Sequence, residues 1–117
     1  MSDLESTRRG DIAIIVLHGS LDITNLDDLK SEVIAIEESR IRKVVVDLRR
    51  LRQIDSSGVG VIASLFKRIG KAGGQVRMAG LTGQPQAVFK VLGFDKAFDV
   101  CDTVEDALKR IAAPEKP

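Results

Sequence analysis

The sequence lacks tryptophan and tyrosine altogether and has only four phenylalanines among its 117 residues. Proteins that bind single-stranded nucleic acid stack bases on aromatic side chains, so the platforms for that contact are scarce. The net charge is +1, from 18 basic and 17 acidic residues, and supplies no overall field that would attract nucleic acid or an anionic membrane surface. We therefore expect no nucleic-acid partner.

Long apolar runs are also absent, since no stretch approaches the roughly 18 residues needed to span a bilayer. Residues 1–6 have neither the basic nor the apolar part of a secretion signal. The single cysteine, Cys101, excludes an internal disulfide framework and favours a reducing compartment. It follows Phe98 and Val100 in an apolar stretch, which predicts burial as a small hydrophobe. These features predict a cytoplasmic protein without direct membrane insertion.

Residues for catalysis and metal binding are few. One histidine and one cysteine do not make a metal site, which needs several ligands at compatible spacing. His18 would be the only imidazole of a hydrolase, and Ser56 and Ser57 do not lie in a Gly-x-Ser-x-Gly elbow. Carboxylate pairs such as Asp27 and Asp28 fall on a solvated helix. We expect no catalytic residue, no metal and no cofactor, so an enzyme is the weakest interpretation.

The hydrophobic fraction of 44% is enough for the core of one domain, residues 1–117. Apolar β-branched segments predict strands, and a period of 3.6 residues predicts helices. The predicted strands are 11–17, 43–48, 75–79 and 98–101, and the predicted helices are 24–39, 59–72, 85–93 and 103–111. In the third helix we expect Val91 and Leu92 to face inward. Thr24 and Asn25 are good N-caps for the first.

This alternation predicts an α/β (mixed α+β) fold, with a four- to five-stranded, mostly parallel or mixed sheet flanked by about four helices. The ordered core is expected to span about 4–112. We expect residues 113–117 to form a frayed tail.

The most informative segment joins the buried strand 44–48 to a helix that opens Asp55-Ser56-Ser57-Gly58. Phosphate on a serine there would meet unpaired N–H groups and the positive end of the helix macrodipole, so the fold could accept it. The added charge, roughly −1.5 to −2 at pH 7, would act instead on a protein that docks at this surface. The alternative is that these residues only cap the helix, because Asp and Ser are preferred N-caps.

Gly58, Gly60 and Ala63 also match the Gly-x-Gly-x-x-Gly/Ala pattern of dinucleotide-binding proteins. In those proteins the first glycine turns directly after the strand, whereas here it comes about nine residues after Leu48, and the next strand ends without an acidic residue. Nucleotide binding is therefore disfavoured. Gly58 and Gly60 suit either close approach of a partner's backbone or tight packing of the helix.

Five motifs are spread over nearly the whole chain. They are Gly19-Ser20-Leu21-Asp22, Val44-Val45-Val46-Asp47-Leu48, Ile54-Asp55-Ser56-Ser57-Gly58-Val59-Gly60-Val61, Gly73-Gly74 and Val91-Leu92-Gly93-Phe94. Together they resemble the STAS-domain anti-sigma factor antagonists, the anti-anti-sigma proteins of bacteria. The resemblance implies a STAS-like fold of four or five strands flanked by helices.

The resemblance also implies a function. Members of that family bind an anti-sigma factor that is a serine kinase, and so free a sigma factor. The kinase phosphorylates the first serine after the aspartate, here Ser56, which ends binding, and a PP2C-type phosphatase restores it. Asp22 and Asp55 correspond to the neighbourhood of the phosphosite, and Ser57 is a less favoured second hydroxyl.

Other roles stay open. STAS domains also serve as accessory subunits of membrane-lipid transporters or as scaffolds in stress signalling, and retention of Ser56 and of the 19–22 turn favours the switch over these. Arg49, Arg50 and Arg52 lie beside the switch segment. They can contact an acidic partner or simply be solvated.

Overall fold

The computed structural model describes residues 3–98 and 100–112. Within these ranges the chain forms five strands and five helices. They are β1 (Leu4–Arg9), β2 (Ile12–Leu21), α1 (Asp27–Glu38), β3 (Lys43–Ile54), α2 (Ser56–Lys71), β4 (Gln75–Ala79), α3 (Gly83–Val91), α4 (Phe94–Ala97), β5 (Val100–Cys101) and α5 (Val104–Ala112). The tail predicted at 113–117 lies outside the described residues.

The strands form one sheet in the order β1-β2-β3-β4-β5. β1 and β2 pair antiparallel, and all other neighbours pair parallel through helical crossovers. The predicted α/β class and mixed sheet are confirmed. The helix that was not predicted, α4, is a single turn after Gly93, too short to show a helical period.

Alternate residues of the strands feed two hydrophobic clusters, one on each face of the sheet. Val44 and Val46 belong to the larger cluster, which α1, α2 and α3 cover. Val45 belongs to the smaller one, where α5 contributes Ala107 and Ile111. Cys101 is buried in this second cluster, as the sequence predicts. No helix in the described part of the chain is both long enough and apolar enough to cross a membrane.

The structure differs from the predicted strands in two places. β1 was not predicted, because most of its side chains are exposed and its sequence lacks an apolar alternation. β3 continues to Ile54, so the expected connection 49–54 is strand paired with β2. Two register shifts in this stretch space the buried residues Leu48, Leu51 and Ile54 three apart, a spacing that conceals the strand period.

Two details of the predicted helices are wrong. Val91 and Leu92 are 86% and 42% exposed, because α3 buries Pro85 and Phe89 instead. The first helix begins at Asp27 after Leu26, whose side chain forms no capping hydrogen bond. The predicted caps Thr24 and Asn25 lie in the preceding loop.

Asp47, in the middle of β3 and the last residue of that strand to pair with β4, is buried, and its oxygens accept hydrogen bonds from the side chain of Arg49 at 3.0 and 2.8 Å. Burial raises the pKa of this carboxyl, but the hydrogen bonds and charge of Arg49 together outweigh burial and hold the pKa below its ordinary value. Because the pKa of Asp47 is lower in the folded protein than in the unfolded one, this carboxylate stabilises the fold at pH values above its unfolded pKa, near 3.9. That contribution is lost as pH falls through the lower folded value.

We therefore expect Arg49→Met to lower the free energy of unfolding by roughly 1–3 kcal/mol at pH 7, since it leaves a buried carboxylate short of donors. The deficit relative to wild type should shrink as pH falls below about 4 and should vanish only once pH also passes the lower folded pKa of Asp47 in wild type. Urea unfolding of both proteins at pH 7 and at a pH below about 4 measures this deficit in the free energy of unfolding. Arg52→Met is the matched control, because no ion pair to Arg52 is found within the described residues. A deficit that persists unchanged at low pH would contradict the role of the charge.

Candidate partner-binding site around Ser56

Helix α2 is capped by the aspartate of the Asp-Ser-Ser segment. Asp55 is extended, and its Oδ1 accepts a hydrogen bond from the Gly58 N–H at 2.9 Å. Ser56 is the first helical residue and is exposed, while Ser57 is half-buried. Within the described residues neither hydroxyl forms a hydrogen bond. Because Asp55 does the capping, the Ser56 hydroxyl is left open to solvent.

Asp55 also ties the helix to the loop between β2 and α1. Its Oδ2 accepts a hydrogen bond from the Ile23 N–H at 3.1 Å, and its own N–H donates to the Leu21 carbonyl at 3.1 Å. The two oxygens of the Asp55 carboxylate therefore bind two separate segments, the first turn of α2 and the loop between β2 and α1. The position of the loop relative to Ser56 is fixed through this side chain.

Asp22 and Asn25 give that loop its internal structure. Asp22 Oδ1 accepts hydrogen bonds from the hydroxyl of Thr24 and, at 2.9 Å, from its N–H. These two bonds, the hydroxyl's first, hold the pKa of Asp22 below its ordinary value. Asn25 accepts from the Asp22 N–H at 2.9 Å and donates to the Ser20 carbonyl at 2.7 Å. The loop therefore presents an ionised carboxylate at neutral pH.

Gln84 is a positioning residue that the sequence did not reveal. Its side-chain amide accepts from the Ile54 N–H at 2.9 Å and donates to the Ile54 carbonyl at 3.0 Å, as a neighbouring strand would. The first turn of α3 is thereby fastened to the residue just before Asp55. No local motif marks this contact, because the two residues are 30 positions apart.

The first two glycines of α2, Gly58 and Gly60, have different environments. A Cβ on Gly58 would lie 2.8 Å from both the Leu21 carbonyl oxygen and Ile54 Cγ1, whereas a Cβ on Gly60 would meet nothing within 4 Å. Gly58 therefore lets the helix pack against the ends of β2 and β3, and its N–H is already bonded to Asp55. This occupied N–H argues against a dinucleotide loop. Gly60 lies on the open surface.

Apolar grooves lie on both sides of the two serines. A mainly apolar groove of about 440 Å³ between α1 and α2 includes Ser57, Gly60 and the exposed side chains of Ile23 and Ile34, and is also lined by Lys30 and Arg68. A wholly apolar depression of about 240 Å³ between Ser56 and α3 is lined by Ala87, Val88, Val91 and Leu92.

Ile23, Ile34, Val91 and Leu92 are the exposed large apolar side chains of the described chain, and all four line these two grooves. Their exposed fractions run from 42% for Leu92 to 86% for Val91. Large apolar side chains that are exposed in surface grooves are typical of protein-binding sites.

Comparison with known families identifies the domain. The sequence model of the STAS domain matches residues 3–107. The chain belongs to the STAS domain family.

Relatives of this STAS domain carry a consistent functional name. It is 31% identical over 94 residues to BtrV of Bordetella bronchiseptica, provisionally named an anti-sigma factor antagonist, covering 80% of this chain and 81% of BtrV. It is 26% identical over 109 residues to the anti-sigma F factor antagonist of Paenibacillus polymyxa, covering 92% of this chain and 93% of that protein. The family expected from the motifs, the anti-sigma factor antagonists, is confirmed.

Solved structures share the fold. An anti-sigma factor antagonist of Mycobacterium paratuberculosis superposes with a TM-score of 0.85 at 19% identity, covering 94% of this chain and 93% of that chain. SpoIIAA of Bacillus in its unphosphorylated form gives 0.79 at 19% identity, covering 95% and 99%. A sulfate transporter family protein of Wolinella succinogenes gives 0.76 at 21% identity, covering 90% and 88%. At these identities the likeness is one of fold.

In this STAS domain the predicted site residues fall into two groups. Ser56, Ser57, Asp55 and Gly60 lie together at the start of α2, with the Asp22 loop bonded beside them, while Gly58 is buried beneath. The arginines 49, 50 and 52 line a different cleft of about 590 Å³, together with Asp3, His18 and Gly19. That cleft shares no lining residue with the two grooves.

Proposed function

We propose that this STAS domain binds an anti-sigma factor serine kinase while Ser56 is unphosphorylated and so frees a sigma factor. Phosphorylation of Ser56 by that kinase ends binding, and a PP2C-type phosphatase reverses it. The observation that carries this proposal is the exposed Ser56 hydroxyl, left free by the Asp55 cap and situated between two apolar grooves. The names of the relatives support the antagonist role.

The start of α2 can hold a phosphate without rearrangement. Asp55 accepts only the Gly58 N–H of the first turn, and within the described residues no acceptor faces the N–H groups of Ser56 and Ser57. Such unpaired N–H groups, at the positive end of the macrodipole, stabilise an anion. The modification therefore leaves the fold intact and changes the surface.

The switch follows from the position of that new charge. A phosphate on Ser56 lies beside the carboxylate of Asp55, close to the loop that carries Asp22. A partner that packs on the adjoining grooves would have to desolvate this negative cluster. Removing water from an unpaired charge in an interface costs about 2–5 kcal/mol, which is enough to release a partner of ordinary affinity.

Phosphorylation in vitro tests the site directly. The purified protein is incubated with ATP and an anti-sigma factor kinase from the same genome, and the phosphate is located by mass spectrometry. We expect wild type and Ser57→Ala to be modified and Ser56→Ala to remain unmodified, since Ser56 is the exposed hydroxyl. Equal modification of Ser56→Ala and wild type would overturn the assignment.

An accessory subunit of a membrane-lipid transporter is the second candidate, and its support is limited to the fold shared with the Wolinella protein, which is named for sulfate transport. The apolar grooves would serve such a subunit equally, but that role does not need the exposed serine. A transporter component that copurifies with this domain, unaffected by changes at Ser56, would favour the second candidate.

A further inference from the structure

The two edges of the sheet differ in how they are protected. At one edge β5 has two residues, Val100–Cys101, and so brief an edge strand offers little to an incoming chain. At the other edge β1 has six residues, Leu4–Arg9, paired with β2 in unbroken register and containing no proline. No other strand in the described chain pairs with the outer side of β1. Among the described residues, the outer edge of β1 at Ser6 and Arg8 is therefore available to another strand.

One contact shows which residues of β1 direct their backbone N–H and C=O groups toward β2. The His18 N–H donates to the Asp3 carbonyl at 2.8 Å, in line with the register that pairs Leu4 with Leu17. In an antiparallel pair, residues alternate between facing the partner strand and facing away. Residues 5, 7 and 9 thus point their backbone groups at β2, and residues 4, 6 and 8 point theirs outward.

We infer that β1 pairs with β1 of a second copy of this chain, antiparallel about a two-fold axis at Thr7, to form a continuous ten-stranded sheet. In this register Ser6 lies opposite Arg8 of the second copy, with both presenting outward backbone groups. Glu5 lies opposite Arg9 of the second copy, twice per dimer. Glu5 and Arg9 occupy non-hydrogen-bonded positions of this pair, where opposing side chains approach most closely.

The charges on β1 favour this pairing. Arg8 is engaged within its own chain, 3.5 Å from Glu32. Arg9 is exposed and forms no ion pair within the described residues, and Glu5 is 63% exposed, with His18 Nε2 at 3.3 Å. Charges of a single sign would repel a second copy, but Glu5 and Arg9 are complementary to themselves under a two-fold rotation. A register centred on Ser6 instead would set Glu5 opposite Thr7 and would leave Arg9 opposite Asp3, which lies outside β1 and whose carboxylate already accepts from Asn25 at 3.4 Å.

Charge reversal tests the register by sedimentation equilibrium over a wide concentration series. Glu5→Arg alone and Arg9→Glu alone should each weaken dimerisation about tenfold, because two attractive pairs become two like-charged pairs. The double variant Glu5→Arg/Arg9→Glu should restore wild-type dimerisation. Circular dichroism verifies that each variant is folded, and the two single variants provide independent readings.

Disulfide cross-linking tests whether the two-fold axis lies at Thr7. Opposing residues at a non-hydrogen-bonded position have Cα atoms about 4.5 Å apart, a separation that a disulfide can span. Thr7→Cys, in a Cys101→Ala background, should give a covalent dimer on mild oxidation, whereas Asp11→Cys in the same background should not exceed chance collision. A protein that stays monomeric throughout, or a dimer that neither responds to Glu5→Arg nor cross-links at Thr7, would overturn the inference.

Discussion

Ser56→Asp is expected to weaken binding of the proposed anti-sigma factor partner roughly 30-fold or more while leaving thermal stability unchanged or slightly higher. The loss of affinity reflects a charge placed between two apolar grooves, where a docked partner must desolvate it. The retained stability follows because an acidic residue in the first turn of a helix interacts favourably with the macrodipole, by about 0.3–1 kcal/mol. Isothermal titration calorimetry and thermal unfolding measure the two effects.

Two controls make this result specific. Ser56→Ala should bind like wild type, because it adds no charge and the hydroxyl has no partner to lose in the described chain. Ser31→Asp, an exposed position on α1 that lines neither groove, should leave the affinity unchanged. Wild-type affinity in Ser56→Asp would refute the charge mechanism, and a drop of many degrees in melting temperature would identify Ser56 as a structural residue instead.

The central strands and helices were predictable because each buries a simple periodic face. The strand of Val44 to Val46 reads as continuous apolar sequence since both faces of the sheet are covered there. β1 carries no such signal, because an edge strand that is mostly solvated needs no apolar face. The end of β3 was hidden for a different reason: its bulges break the period of two on which a strand is recognised.

The site was predictable in its residues but not in its geometry. The sequence identifies Asp55, Ser56 and Ser57 as competing N-caps, and local propensity alone does not choose among them. The choice is made by a contact 32 positions away, the Ile23 N–H, which only Asp55 reaches with its second oxygen. The grooves likewise depend on the packing of α1 and α3 beside α2. Val91 and Leu92, expected in the core, are part of that surface.

Gly58→Ala is expected to destabilise the protein by about 1–3 kcal/mol, a typical cost of overpacking. The new Cβ would lie 2.8 Å from the Leu21 carbonyl oxygen, which also accepts the Asp55 N–H, so relief of the clash must move the start of α2. That movement displaces Ser56 as well. We therefore expect a lower urea midpoint, together with weaker partner binding.

Gly60→Ala is the matched control on the same helix. Its Cβ would meet nothing within 4 Å, so the change should gain helix propensity, up to about 1 kcal/mol, and raise the urea midpoint. If Gly60→Ala also weakens binding, the loss must come from contact with the partner at the groove, since the fold is then more stable than wild type. Equal effects of the two substitutions on stability would contradict the close packing of Gly58 against Leu21 and Ile54. They would also contradict the inference that this packing positions Ser56 at the surface.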